Sequence, residues 1–160
     1  SDMMDGRIGE IRKSLEKNNY KNIQLLSYAA KYASNFYGPF RNAVGSQSKL
    51  KSDKKNYQMD FKNSEEALRE IGMDINEGTD MVIVKPALTY LDIISKAKQE
   101  FNIPIVAYNV SGEYSMIKNA IKNNILPEDA INEMMISFKR AGANSVITYF
   151  AMELARKLDN

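Results

Sequence analysis

The residues able to do chemistry in this sequence are lysines, tyrosines, serines, arginines and carboxylates, because it contains no cysteine and no histidine. Thiolate metal sites, disulfides and imidazole bases fall outside its repertoire. Two lysines stand out by position. Lys85 closes the apolar run "MVIV", Met81 to Val84, and is followed by Pro86, while Lys31 lies shortly after the β-rich run "IQLLSY", Ile23 to Tyr28. An ordinary lysine, with a pKa near 10.4, is a free amine in only about one molecule in a few thousand at neutral pH. A second ammonium nearby and an apolar wall both disfavour the charged form, freeing the lone pair to attack a ketone and form a Schiff base. If the two runs are neighbouring strands, about 4.8 Å apart, their lysines converge on one pocket. Taken singly, Lys85 would as readily snorkel, bind phosphate or pair with Asp80 or Asp92. The pairing of the two lysines is what carries the Schiff-base reading.

Two hydroxyls fall at the same rim: Ser111 in "NVSGEY" and Tyr149 in "ITYFA". Together they can hold a substrate carboxylate, or Tyr149 can pass protons. The plainer alternatives are that Ser111 caps the next helix and that Tyr149 is a core aromatic with a wet tip. Further upstream, Arg41, Lys54 and Gln58 supply donors suited to a second carboxylate, and Phe36 and Phe40 can exclude water on closure. Most lysines of "KLKSDKK" read as a solvated loop. No dinucleotide fingerprint or Walker-type glycine loop occurs, so nucleotide cofactors have no support. Met3, Met4, Met134 and Met135 read as packing residues.

Positioning these groups requires an α/β architecture. Short apolar runs alternate with stretches of helical period, the pattern of a parallel sheet wrapped by helices. The expected strands are Ile23 to Tyr28, Met81 to Val84, "PIVAYNV" (Pro104 to Val110) and "NSVITYF" (Asn144 to Phe150). Helices are expected over "IGEIRKSLEKN", over "SEEALREIGMDINEG" with Ser64 as N-cap and Gly78 at its close, and over "TYLDIISKAKQEF". Another is expected over "PEDAINEMMISFKRAG", with Pro127 at the first helical position and Gly142 at the end. In such sheets reactive groups gather at the carboxyl ends of the strands. Residues 33–63 lack clear periodicity, which marks an active-site lid; their aromatics favour that reading over an unstructured insertion. The opening "SDMMDGR" reads like the loop after a strand lying upstream. Four strands in 160 residues resemble the second half of an eight-stranded barrel.

Composition bounds the rest. A chain of 160 residues with 44% hydrophobic and 26% charged residues is long enough for one globular domain, 1–160. A net charge of +2, with dispersed basic residues, gives no electrostatic case for nucleic acid or an anionic membrane. No apolar run approaches the roughly 18 residues of a membrane span, so a soluble, cytoplasmic protein is expected.

Six stretches, "SDMMDGR", "SYAAKYASNFYGPFR", "DKKNYQMD", "EGTDMVIVKPALTYLDI", "YNVSGEYSMIK" and "FKRAGANSVITYFA", together resemble the porphobilinogen synthase (5-aminolevulinate dehydratase) family, in family order across essentially the whole chain. The resemblance implies a (β/α)8 TIM barrel, here about its C-terminal half with strands 5–8. It implies condensation of two 5-aminolevulinate molecules to porphobilinogen, with loss of two waters, in tetrapyrrole and heme biosynthesis. By the same resemblance Lys85 forms the Schiff base with the first substrate and Lys31 engages the second. Ser111 and Tyr149 hold the first carboxylate, and Arg41, Lys54 and Gln58 the other; Ser1 lies near the second substrate. Phe36, Tyr37 and Phe40 match the aromatic lid. Glu70 falls where many bacterial members hold an allosteric magnesium between subunits. No organic cofactor is implied; zinc or magnesium is, with catalytic ligands outside these residues. A homo-oligomer, octameric in complete members, is implied as well. The missing N-terminal half of the barrel is expected as a partner, and the chain alone is expected to turn over weakly or not at all. The alternatives are a Schiff-base aldolase on the same barrel and a catalytically silent assembly or binding fragment.

Overall fold

The computed structural model describes residues 3–43 and 56–158. Four strands, β1 (Leu26–Lys31), β2 (Met81–Lys85), β3 (Ile105–Tyr108) and β4 (Ser145–Ile147), form one parallel sheet in the order β1-β2-β3-β4. Helix α1 (Arg7–Lys17) precedes β1. A 3-10 turn (Asn35–Tyr37) and α2 (Gly38–Ala43) come after it, and α3 (Glu65–Asn76) leads into β2. A second 3-10 turn (Leu88–Tyr90) and α4 (Leu91–Glu100) join β2 to β3; α5 (Ser111–Lys122) and α6 (Ala130–Ala141) join β3 to β4, and α7 (Ala151–Leu158) comes last. The alternation of apolar runs and helical periods thus produces the α/β sheet that the pattern predicts.

Strand alternation divides the sheet into two faces. Val82, Val84, Ile105 and Ala107 pack with Ala67, Ile71, Ile94, Ala97, Met134 and Phe138 of the helices in one core cluster. The alternate residues, Lys85 and Tyr108 among them, belong to the opposite face. Each fully buried Ile or Phe of this core contributes roughly 1.5–3 kcal/mol.

Several boundaries differ from the sequence reading. The first strand begins at Leu26, not Ile23, and runs through Lys31. Residues before it are committed elsewhere: Ile23 O accepts from the Arg12 guanidinium, and Leu25 N donates to Asp80 Oδ2 at 2.7 Å. Ala29, Ala30 and Lys31 are weak strand formers, but burial of the two alanines and pairing with β2 override propensity. Asn63, not Ser64, caps α3: its Oδ1 accepts from Glu65 N and Glu66 N at 3.0 and 3.3 Å, while the Ser64 side chain makes no capping bond. Pro127 stands in the turn before α6, where its carbonyl accepts from Ala130 N. β3 and β4 are shorter than expected, so Asn109, Val110 and Tyr149 lie in the loops beyond them. Gly78 and Gly142 do close their helices, at φ +97° and +119°.

At the amino ends of β1 and β2 a polar clamp fastens α1. Glu77 spans its N-terminus, accepting from Gly6 N at 2.8 Å and Gly9 N at 3.0 Å, where a carboxylate also complements the helix dipole. Arg12 donates to Gly78 O and Ile23 O and pairs with Asp80. Asp80 is therefore held at the end of β2 opposite Lys85. The Leu25 amide, then the Arg12 guanidinium, keep its carboxyl below the usual range. A depressed carboxyl contributes stability above the unfolded-state pKa and loses it as pH falls through the folded one. Asp80→Ala should cost about 1 kcal/mol at pH 7, discounted for exposure. In urea unfolding across pH the difference from the unmodified chain should shrink below about pH 4.

Candidate active site at the carboxyl rim of the sheet

β1 and β2 do not pair in simple register. Leu26 and Ser27 lie opposite Met81 and Val82, but Ala30 and Lys31 lie opposite Val84 and Lys85. β1 thus carries one extra residue between Ser27 and Ala30, a bulge that shifts the rest of the strand by one position. Without it Ala30 would face Lys85. With it the two lysines are partners across the strand pair, and Tyr28 and Lys31, three residues apart, meet on the same face.

The lysine heads share an aromatic floor. Lys85 Nζ lies 3.9 Å from the Tyr108 ring centroid, 5.2 Å from that of Tyr28 and 5.6 Å from that of Tyr37. Lys31 Nζ lies 5.4 Å from the same Tyr28 ring. These distances fall within the roughly 6 Å of a cation–π contact. Burial pushes the Tyr108 phenol up, with smaller contributions from Tyr28 and Tyr149, so the ring stays neutral.

Lys85, Tyr37, Phe40, Tyr108, Val110, Ser111 and Tyr149 line one cleft of about 30 Å³. Five residues singled out in the sequence, Lys85, Tyr37, Phe40, Ser111 and Tyr149, therefore come together at one place. Lys31 joins them across Tyr28. Arg41 stacks over the Tyr37 ring at 5.2 Å. Gln58 does not reach this cleft. It is 5% exposed, its Oε1 has no hydrogen-bond partner among the described residues, and it lines a separate hollow of about 240 Å³ with Ala33, Asp60, Phe61 and Lys62. Phe36 lines another groove with Ser34, Phe61 and Tyr90. Ser1 and Lys54 lie outside the described residues. Glu70 pairs with Arg69 at 3.0 Å and shares a cleft with Asp5, Asp60 and Glu66. Burial, chiefly, raises its carboxyl, against the pull of Arg69 and with help from Asp5.

The two legs of the segment 33–63 are stitched around Lys85. Its carbonyl accepts from Tyr32 N at 2.9 Å and Tyr37 Oη at 3.2 Å. Met59 returns the chain to β1, bonding Lys31 O and Ala33 N. The first leg rests on α5. Ser111 Oγ accepts from Phe40 N at 3.1 Å, and a Cβ on Gly112 would sit 2.3 Å from Phe36 O, closer than any side chain permits. Ser111 is the first residue of α5, so its hydroxyl holds the Phe40 amide rather than capping the helix.

Beneath this rim lies a polar chain that the sequence reading missed. Glu113, fully buried, accepts from Leu88 N at 2.8 Å through Oε1, and from Val110 N at 2.9 Å and Asn109 Nδ2 at 3.0 Å through Oε2. Asn109 Oδ1 accepts in turn from Thr148 Oγ1 at 2.8 Å. Burial raises the Glu113 carboxyl, opposed by these donors. The available signal was a glutamate in the first turn of a helix after a strand. Tyr28 was missed because the bulge that brings it beside Lys31 is invisible in composition.

Known proteins share this fold. The family model for delta-aminolevulinic acid dehydratase matches residues 1–157. The chain belongs to the delta-aminolevulinic acid dehydratase family. A relative of that name from Archaeoglobus fulgidus is 54% identical over 158 residues, covering 99% of this chain and 49% of its own length. Another from Methanothermus sociabilis is 56% identical over 158 residues, with 99% and 49% covered. The crystal structure of delta-aminolevulinic acid dehydratase (porphobilinogen synthase) from Toxoplasma gondii ME49, in complex with the reaction product porphobilinogen, superposes with a TM-score of 0.92 at 50% identity, covering 98% of this chain and 45% of that one. The chain spans about half the length of the curated relatives it matches. The parallel sheet and its helices accordingly form about half of a TIM barrel, as the resemblance implied.

Gly112 gives a direct check on how the rim is built. Gly112→Ala should destabilise the fold by about 1–3 kcal/mol, because the methyl meets backbone rather than a yielding side chain. Limited proteolysis should show cleavage near Phe36 and Phe40 rising sharply relative to cleavage elsewhere.

Proposed function

We propose that these residues supply the Schiff-base half of a porphobilinogen synthase site, which condenses two molecules of 5-aminolevulinate with loss of two waters. The observation that carries the reading is the convergence of Lys85, Ser111 and Tyr149 on one cleft, with Lys31 as the register partner of Lys85. Family membership and the product-bound structural relative support it.

In this reading the Lys85 amine attacks the C4 ketone of the first substrate, the carbonyl oxygen departs as water, and an iminium remains. The iminium draws electrons from adjacent carbons, making them acidic and the imine carbon electrophilic. The Ser111 and Tyr149 hydroxyls bind that substrate's carboxylate and fix its direction. Lys31 engages the second molecule. Arg41, Lys54 and Gln58 are the proposed donors to its carboxylate, with Ser1 nearby, and Phe36, Tyr37 and Phe40 exclude water as the lid holds both molecules together.

Zinc or magnesium, when bound, would supply charge stabilisation for the second substrate or for assembly. Among the described residues no group of three or more histidine, cysteine, aspartate or glutamate side chains could hold such an ion. Glu70, committed to Arg69, would offer one carboxylate toward a shared site. The described residues do not make a metal centre by themselves. The complete site is proposed to include the other half of the barrel and to assemble as a homo-oligomer, the octamer of complete members. No helix among the described residues is long and apolar enough to cross a membrane; cytoplasmic residence is part of the proposal.

Treatment with 5-aminolevulinate and borohydride should reduce the imine to a stable amine, located on Lys85 by peptide mass spectrometry and lost in Lys85→Ala. Ser111→Ala should raise the concentration needed for half-maximal labelling by about tenfold, the worth of one hydrogen bond to a charged group. Labelling that persists unchanged in Lys85→Ala would refute the assignment of the nucleophile.

A further inference from the structure

We infer that Glu113 is a positioning residue that sets the spacing between the Lys85 amine and the carboxylate-binding hydroxyls of Ser111 and Tyr149, and thereby selects ketones that carry a carboxylate at the right distance. The inference rests on the Schiff-base reading and names what makes that site selective.

One buried side chain gathers donors from the segments beyond two different strands. Glu113 Oε1 takes Leu88 N, three residues after Lys85; Oε2 takes Val110 N, the residue before Ser111, together with Asn109 Nδ2. Asn109 Oδ1 extends the chain to Thr148 Oγ1, the residue before Tyr149. Thr148 Oγ1 also accepts from Phe150 N at 3.1 Å, so Tyr149 is flanked on both sides by this one hydroxyl. Each of the three functional side chains is thus placed by backbone that the Glu113 network holds. Glu113 itself is fully buried and does not line the Lys85 cleft, so it acts through its neighbours.

The role needs a carboxylate. Three donors on two oxygens suit an acceptor-only group, whereas glutamine offers one oxygen and turns an N–H donor toward the other set. Glu113→Gln preserves volume yet must release either the Leu88 side or the Asn109–Val110 side. Either release changes the distance between the amine and the hydroxyls without removing any of them.

The test compares two ketones of similar size, 4-oxopentanoate and 2-pentanone, by borohydride trapping on Lys85 with peptide mapping, in the whole chain. The unmodified chain should favour 4-oxopentanoate by about tenfold or more, the gain from hydrogen bonds to a carboxylate. In Glu113→Gln the preference should fall to about twofold or less, with 2-pentanone labelling within about twofold of the unmodified chain. Thr148→Val, which cuts the chain only on the β4 side, should lower the preference by about threefold and decides the matter if Glu113→Gln fails to fold. A preference fully kept in Thr148→Val or in folded Glu113→Gln would overturn the inference. So would an equal loss of labelling by both ketones, which is what a merely structural role would give. No labelling of the unmodified chain by either ketone would instead overturn the Schiff-base reading itself, and this inference with it.

Discussion

The rim of this sheet depends on how β1 is registered against β2. A strand alternates faces, so a one-residue change moves every later side chain to the other side. The single extra residue between Ser27 and Ala30 makes that change once, just before the strand ends. It leaves Tyr28 facing the same side as Lys31 and sets Lys31 opposite Lys85. From there the backbone is over-determined. The Lys85 carbonyl accepts from both Tyr32 N and Tyr37 Oη, and Met59 closes the segment onto Lys31 O and Ala33 N. The two lysines therefore stand on backbone held by several hydrogen bonds, while their long side chains lie against tyrosine rings.

A second constraint lies under the first. Taking a carboxylate out of water costs several kcal/mol unless hydrogen bonds replace its hydration. Glu113 has three such bonds, and burial still dominates its raised pKa. An apolar residue there would pack without that penalty, but could not hold the Leu88, Val110 and Asn109 donors in fixed relation. The group contributes geometry more than stability. The opposite end of the sheet reverses this balance: Glu77, Arg12 and Asp80 are partly exposed, fasten α1, and line none of the groups at the rim. The clamp on α1 and the proposed site thus lie at opposite ends of the strands, the division expected of parallel α/β architectures.

The sequence disclosed the features that periodicity governs. Each strand was located within three residues, and helix ends at Gly78 and Gly142 were legible because a positive φ calls for glycine. Lys85, Ser111 and Tyr149 could be grouped because parallel strands deliver their carboxyl ends to one rim. The features that could not be read depend on contacts between distant segments. The bulge leaves no local signature in "LSYAAK". Asn63 displaced Ser64 as a cap because either side chain could serve and only backbone geometry chooses. Gly112 is required by the Phe36 carbonyl, 76 positions earlier in the chain, which no local pattern shows. Glu113 is buried only because the segments after β2 and β3 close over it, again a contact between distant parts of the chain.

Ser111 shows how docking and binding can share one atom. Its oxygen accepts from Phe40 N, which uses a lone pair and leaves the hydroxyl proton to donate. A carboxylate in the cleft would need a donor and would compete for nothing that the Phe40 contact requires. Accepting the Phe40 amide also polarises the hydroxyl, strengthening the bond it can donate. The same oxygen thus holds the Phe40 amide while its residue lines the cleft with Lys85 and Tyr149. In the proposed site, binding a carboxylate and holding the Phe40 segment in place would then reinforce each other.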